Sequence, residues 1–186
     1  MFKTDFDTLT YDLCKKFRKD LRTCLTDIQD ICYSYRNEKN QDTSFWITAA
    51  NDINTTIRNY LNIDKFSERR KPIEEYRPKL DSFKSTFQTK KQTILTQTLA
   101  PIQKSSTSIN LPSNTVTNFD DLKKWEELET TLRKNKTKIN SDIYEQCSNS
   151  VIRGKAISRL ITTFSSLNDF YQSLPKAIVT QEDREN

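Results

Sequence analysis

The stretch "FDTLTYDLCKKFRKDLRTCLTDIQDICYSY", residues 6–35, decides the fold because its apolar side chains recur at steps of three and four residues. The members of this stripe are Phe6, Leu9, Leu13, Phe17, Leu21, Cys24, Ile28, Ile31 and Tyr35. Such spacing keeps one face of an α-helix apolar over more than about eight turns. The pattern predicts a helix over 4–36 whose stripe is buried against other helices.

The same periodicity predicts three further helices, over 43–63, 77–100 and 119–174. The last of them is either one continuous helix or two helices broken near 148–154, a segment that contains Gly154. The long predicted helices therefore lie at the two ends of the sequence.

Prolines and polar residues predict the interruptions between these helices. Pro72 and Pro78 each lack a backbone donor, which indicates a kink or short break before residue 77. Residues 101–118 are rich in Ser, Thr, Asn and Pro, a composition typical of a flexible loop. We expect the tail, 175–186, to be frayed.

Composition favours an all-α fold. The 186 residues include one glycine and five prolines, so the chain has few of the residues that β-hairpin turns require. Hydrophobic residues make up 34% and charged residues 30%, which suits amphipathic helices with one buried stripe. We expect one domain over 1–186, an elongated, coiled-coil-like helical bundle of four to five helices with long N- and C-terminal helices.

The amino-acid types that are missing exclude several kinds of chemistry. The absence of histidine removes histidine-based acid–base catalysis and mixed Cys/His zinc sites. A single glycine leaves no P-loop or other glycine-rich phosphate loop. Three of the four cysteines share the first predicted helix, roughly 12 to 15 Å from one to the next, which is too far for a disulfide. We expect a protein that is not an enzyme and that holds no metal or cofactor.

Hydropathy and the first residues of the chain bear on its location. No run of about 18 apolar residues occurs, and residues 1–11 alternate acids with aromatics instead of forming a signal sequence. We therefore expect an intracellular, cytoplasmic protein.

Two clusters of basic residues stand out against a net charge of +5 that is otherwise spread thinly. The first cluster consists of Arg133, Lys134, Lys136 and Lys138, in a window without acidic residues. The second consists of Lys65, Arg69, Arg70 and Lys71, ahead of Pro72. Each cluster is either a solvated helix face or a contact for anionic lipid, phosphate or an acidic partner.

The Phe45–Trp46 pair opens the second predicted helix. Trp46 shares one helical face with Ala50, Ile53, Ile57 and Tyr60, so the spacing predicts that it packs in the bundle core. We expect the same of Trp125.

The aromatic pair, the helix after it and the segment "ERRKPIEEY" together resemble the opening segment of F-BAR domains. The resemblance covers Ser44–Leu80 and implies a helical dimer that binds and curves membranes. This chain departs from the family pattern in three ways: about 43 residues precede the pair, prolines interrupt the segment, and the whole chain is short.

Unequal helix lengths lead to the functional hypothesis. Helices of such different lengths cannot cover one another along their full stripes, so we expect some apolar surface to remain exposed. The first hypothesis is a non-catalytic subunit or adaptor that docks this stripe on a partner protein. The alternative is a BAR-type peripheral membrane protein that forms a homodimer and binds anionic lipid through the basic clusters. The thin spread of positive charge makes nucleic acid an unlikely partner.

Overall fold

The computed structural model describes the backbone of residues 2–38, 43–61, 66–105 and 116–185 and the side chains of residues 12–38, 43–60, 71–105 and 116–173. The helices in these ranges are α1 (Phe2–Ser34), α2 (Ser44–Leu61), α3 (Phe66–Ser105), α4 (Leu122–Lys134), a short 3-10 helix (Lys136–Lys138) and α5 (Ser141–Glu185). No strand is present in the part of the chain that is described, so the predicted all-α fold is confirmed.

Four of the helices form an antiparallel bundle. α1 contacts α2 and α5, and α3 contacts the same two helices, so each lies between two neighbours. The side chain of Asp20 meets Ser166, whereas Arg36 meets Asn149, which shows that α1 and α5 run in opposite directions. The resulting up-down-up-down order is the usual topology of a four-helix bundle. The shorter α4 packs against α5.

The predicted stripe of α1 is the centre of the core. Its members from Phe17 to Ile31 are buried, with Phe17, Cys24, Ile28 and Ile31 completely covered. The side chains of Phe6 and Leu9 lie outside the described residues. Trp46 and Trp125 are also buried, at 1% and 0% exposure, which confirms their assignment to the core.

α3 differs from the helix predicted over 77–100, because it continues through Pro72, Pro78 and Pro101. An interior proline removes a backbone hydrogen bond and costs roughly 3 kcal/mol. The described part of α3 buries seven aliphatic or phenylalanine side chains, each of which contributes about 1.5–3 kcal/mol: Ile73, Leu80, Phe87, Ile94, Leu95, Leu99 and Ile102. Burial along the whole helix therefore outweighs the donors that are lost, and the expected break is absent from the described part of α3.

The break in the predicted 119–174 helix lies at 135–140 rather than at 148–154. The Asn135 N–H donates to the Leu132 carbonyl at 3.1 Å at the end of α4. The Asn140 side chain accepts from the Asp142 N–H at 2.9 Å at the start of α5. Asparagine is a favoured residue at helix ends, so these two residues separate the helices.

Gly154 lies inside α5, where it permits a close contact between two helices instead of ending one. The ring of Trp125 lies directly against its backbone, and a Cβ at this position would overlap the ring. Glycine is the one residue that leaves this space free. α4 can therefore approach α5 closely enough to bury Trp125 completely.

The predicted loop and tail are also partly helical. Of the loop predicted over 101–118, residues 101–105 belong to α3, and 106–115 lie outside the described residues. Val116 and Phe119 are buried, and Ser158 donates to the Phe119 carbonyl at 2.6 Å, which fixes the end of the connection on α5. The tail that we expected to be frayed from residue 175 is helical as far as Glu185, because one proline removes one donor without ending a helix.

Candidate functional site

The first predicted basic cluster forms an exposed corner of the molecule. Arg133 and Lys134 end α4, and Lys136 and Lys138 belong to the 3-10 helix that follows. The Arg133 guanidinium lies 3.3 Å from the Glu129 carboxylate, and the Lys136 ammonium lies 5.5 Å from the centre of the Tyr144 ring. Lys134 and Lys138 have no ion pair among the described residues. The corner therefore carries positive charge that is partly neutralised.

The second predicted cluster is described at one residue. Lys71 is exposed and lies 4.0 Å from the Glu75 carboxylate, one turn further along α3. Lys65 lies outside the described residues, as do the side chains of Arg69 and Arg70. Whether these four residues act together is a prediction that the structure leaves untested.

A third basic surface, which the sequence analysis missed, lies on the outer face of α1. Lys15, Arg18, Lys19 and Arg22, with Thr23 and Thr26, line an open groove of about 420 Å³. We call this surface the α1 groove. Lys15, Lys19 and Arg22 are exposed, whereas Arg18 is half-buried. None of the four cations forms an ion pair among the described residues.

Three acidic residues of α1, Asp20, Asp27 and Asp30, lie on a different flank, which faces α5. Asp20 accepts a hydrogen bond from Ser166 at 2.7 Å, and Arg159 lies 2.9 Å from Asp27 and 3.5 Å from Asp30. Burial raises the pKa of the Asp27 carboxyl, although the Arg159 guanidinium opposes this shift. These three acids therefore contact α5, whereas Lys15, Lys19 and Arg22 are exposed to solvent.

A signal for the α1 groove exists in the sequence. Lys15, Lys19 and Arg22 follow one another at steps of four and three, which places them on one helical face. The charge of the whole segment conceals this arrangement, because the acids of α1, most of the described ones on another flank, cancel the bases in the sum. Charge counted by helical face, instead of by segment, would have identified it.

A second groove lies between α2 and α3 and has an apolar floor. Its lining residues are Ser44, Phe45, Thr48, Ala49, Asp52, Pro78, Lys79, Ser82, Phe83 and Thr86, around a volume of about 440 Å³. We call it the α2–α3 groove. Phe45 and Phe83 are half-buried, with their rings stacked 4.8 Å apart between centroids. Lys79 and Asp52 approach to 3.8 Å across the groove.

Among the side chains that the structure describes, one cation is buried: Arg153, which is 1% exposed. Its guanidinium donates to the Ser34 hydroxyl at 3.0 Å, the Ser34 carbonyl at 3.1 Å and the Glu38 carboxylate at 2.7 Å. A weaker contact, at 3.5 Å, reaches the Thr98 hydroxyl, and the Tyr35 ring lies 3.6 Å below. These contacts join α5 to α3 and to the end of α1. The guanidinium of Arg153 therefore donates its hydrogen bonds to groups of the protein, which indicates a structural role.

The cysteines are placed where thiols are inert. Burial raises the pKa of the Cys24, Cys32 and Cys147 thiols, so that they stay protonated at neutral pH. None of the four cysteines, Cys14 included, forms a disulfide. Within the described residues, no three cysteine or acidic side chains come together as a metal site would require.

Exposed apolar side chains are few in the part of the chain that is described. The large ones are Tyr33, Ile47 and Ile143, on α1, α2 and α5 respectively. Ile143 lies one helical turn before the buried Cys147, at the exposed end of that stripe. None of the described helices has a segment apolar enough to cross a membrane.

Comparisons with protein-family models, with curated proteins and with solved structures find no match to this chain.

Proposed function

We propose that this protein is a non-catalytic interaction protein that receives an amphipathic helix of a partner protein in the α2–α3 groove. The observation that carries the proposal is the apolar floor of this groove, where the rings of Phe45 and Phe83 are half-buried. In most protein interfaces a core of apolar and aromatic residues is surrounded by a polar rim. Here Ser44, Thr48 and Ser82 supply such a rim.

The shape of the groove favours a helix as its occupant. The residues that line it on α2 recur at steps of four from Ser44 to Asp52, and those on α3 do the same from Pro78 to Thr86. At a rise of 1.5 Å per residue each wall is about 12 Å long, or roughly two helical turns. A groove parallel to two helices accepts a third helix with apolar residues at positions i and i+4.

A groove-blocking variant tests this proposal. Thr48 and Ser82 are exposed on opposite rims, so the double substitution Thr48→Arg/Ser82→Arg fills the groove with charge and leaves the core intact. A matched control, Gln88→Arg/Gln92→Arg, adds the same charge to exposed positions of α3 that do not line the groove. A partner recovered with the unmodified protein is purified, and its affinity for all three proteins is measured by calorimetry.

We expect the groove-blocking variant to bind at least about tenfold more weakly, since a difference of that size corresponds to about 1.4 kcal/mol of lost contact energy. The control variant should bind as the unmodified protein does. Equal affinity for all three proteins would remove the groove as the docking site. A second molecule of the same chain could also occupy the groove, and light scattering over a range of concentrations tests for such a dimer. If the protein forms a dimer that the groove-blocking variant abolishes, the occupant is not a different protein and the proposal is wrong.

The alternative function, a BAR-type contact with anionic membranes, is favoured by one observation. Arg133, Lys134, Lys136 and Lys138 are all exposed at one corner, where a flat anionic surface can reach them together. The substitution of all four by Glu should abolish sedimentation with phosphatidylserine vesicles at low salt. If the unmodified protein does not sediment with these vesicles, the alternative is wrong.

A further inference from the structure

We propose that the α1 groove binds a compact ligand that carries clustered phosphate groups. This site is separate from the α2–α3 groove and from the basic corner at the end of α4, so the inference goes beyond the function proposed above. It rests on the position, charge and hydrogen bonding of the four cations Lys15, Arg18, Lys19 and Arg22.

The spacing of these cations suits a small polyanion. Lys15 and Arg22 are seven residues apart, which separates their backbones by about 10 Å along the helix. Lys19 and Arg18 lie between them, and together the four line an open space of about 420 Å³. A space of this size admits a sugar or a cyclitol with several phosphates. Four cations are fewer than the roughly 6–10 phosphate contacts of a protein that binds duplex DNA with a steep salt dependence.

The charge of the groove is not cancelled nearby. Among the described residues, no carboxylate lies within ion-pair distance of any of the four cations, and three acids of α1 are engaged by α5. Asp27 and Asp30 pair with Arg159, and Asp20 accepts from Ser166. The positive potential above the groove is therefore available to an anion from solution.

Arg18 provides a second, independent observation. Its Nε atom is buried and has no hydrogen-bond acceptor among the described residues. A buried donor without an acceptor is unfavourable, and most such groups in native proteins are satisfied by a partner, a water or an ion. A phosphate in the groove offers acceptors to which the half-buried Arg18 can turn its guanidinium.

The types of side chain favour phosphate over carboxylate. Two arginines present planar forks of donors that match phosphate oxygens, and two lysines add point charges. A phosphate monoester carries about −1.5 to −2 charges at neutral pH, so two phosphates balance four cations. The Thr23 and Thr26 hydroxyls donate to the carbonyls of Lys19 and Arg22, which leaves the cations as the donors of the site.

Calorimetry with inositol hexakisphosphate tests the phosphate chemistry. We expect one site per chain, an affinity that falls as salt rises, and no comparable heat with benzenehexacarboxylate, which carries six carboxylates on a ring of the same size. Equal binding of the two anions, or no binding of inositol hexakisphosphate at low salt, would overturn the proposal.

Two matched variants locate the site. Arg18→Gln/Arg22→Gln removes two charges from the α1 groove, and Arg133→Gln/Lys134→Gln removes two from the corner at the end of α4. We expect the first variant to bind inositol hexakisphosphate at least about tenfold more weakly and the second to bind it as the unmodified protein does. Circular dichroism melting shows that both variants are folded. The reverse order of effects, or an equal effect of both variants, would overturn the proposal.

Sedimentation with vesicles distinguishes the two sources of such a ligand. If the source is a lipid headgroup, vesicles that contain phosphatidylinositol 4,5-bisphosphate bind the protein, and free inositol hexakisphosphate displaces it. If the source is a soluble phosphate, inositol hexakisphosphate binds and these vesicles do not. Both outcomes support the site provided that Arg18→Gln/Arg22→Gln weakens the binding.

Discussion

The aromatic layer around Phe17 and the polar layer around Arg153 occupy two levels of the same bundle and are held together by different interactions. In the aromatic layer the Phe17 ring lies 4.6 Å from the Phe170 ring and 6.3 Å from the Tyr60 ring, measured between centroids. In the polar layer Arg153 donates hydrogen bonds to Ser34 and Glu38. The two layers are about 26 Å apart along α5.

The difference between the layers lies in directionality. Aromatic rings attract one another over a wide range of angles, so the layer around Phe17 can adjust to a change of side chain. A guanidinium requires its acceptors at fixed positions, and Ser34 belongs to α1 while Thr98 belongs to α3. We therefore expect the polar layer to set the register of α1 and α3 against α5, and the aromatic layer to supply apolar burial.

The largest effect is expected for Arg153→Ala. The substitution leaves the Glu38 carboxylate and the Ser34 carbonyl without their donor, and removal of one partner from a buried charged pair typically costs about 3–5 kcal/mol. Urea unfolding followed by circular dichroism measures this loss. Arg153→Lys serves as the control, because it keeps the charge without the planar fork and should recover part of the stability. A loss below about 1 kcal/mol for Arg153→Ala would show that the layer contributes no more than an ordinary surface contact.

A smaller effect is expected for Phe17→Leu in the aromatic layer. Leucine keeps the position apolar, and the neighbouring rings of Tyr60, Tyr76 and Phe170 can move into part of the lost volume. We expect a loss of about 1–2 kcal/mol in the free energy of unfolding. The same urea titration provides the measurement. A loss as large as that of Arg153→Ala would contradict the difference in tolerance between the two layers.

The smallest effect is expected for Asp27→Asn, at the α1–α5 contact between the two layers. Burial raises the pKa of Asp27 above its ordinary value of 3.8, so the folded protein keeps this proton to a higher pH than the unfolded chain does. The free energy of unfolding of the unmodified protein should therefore fall as pH rises from 3.8 through the raised pKa. An asparagine at this position does not titrate, so the variant should lack this part of the pH dependence. We expect a difference below about 1 kcal/mol at neutral pH, since Arg159 retains Asp30 as a partner.

Urea unfolding of both proteins at a series of pH values, from below 3.8 to neutrality, tests this prediction. The unmodified protein should lose stability relative to Asp27→Asn as the pH rises. The opposite slope would mean that the Arg159 pair stabilises the ionised carboxylate more strongly than burial penalises it.

The parts of the fold that depend on apolar periodicity were predictable from the sequence. The α1 stripe and the burial of Trp46 follow from steps of three and four, because a helix with an apolar face is stable when that face is covered. The course of α3 was not predictable by the same rule. The sequence around Pro72 shows that a backbone donor is missing, but it does not show which side chains from other helices bury the residues next to Pro72.

The polar parts of the structure were less accessible to the same reasoning. Nothing in the segment around Arg153 reveals that its acceptors are Ser34 and Glu38, more than a hundred residues earlier in the chain. The two ends of the break between α4 and α5 do have a local signal, in Asn135 and Asn140. The break was predicted near Gly154 instead, because glycine is usually a stronger helix breaker than asparagine.

The pairing of α1 with α5 has a consequence for synthesis on the ribosome. α1 is made before α5, and Asp20 and Ser166, which contact each other in the folded protein, are 146 residues apart in sequence. At about 5–20 residues per second, roughly 7 to 29 seconds pass between the synthesis of Asp20 and that of Ser166, and the apolar face of α1 is not yet covered by α5 during this time. Until then α2 is the one of its two neighbours that can cover α1, and a chain terminated before residue 141 lacks α5 and cannot complete the bundle.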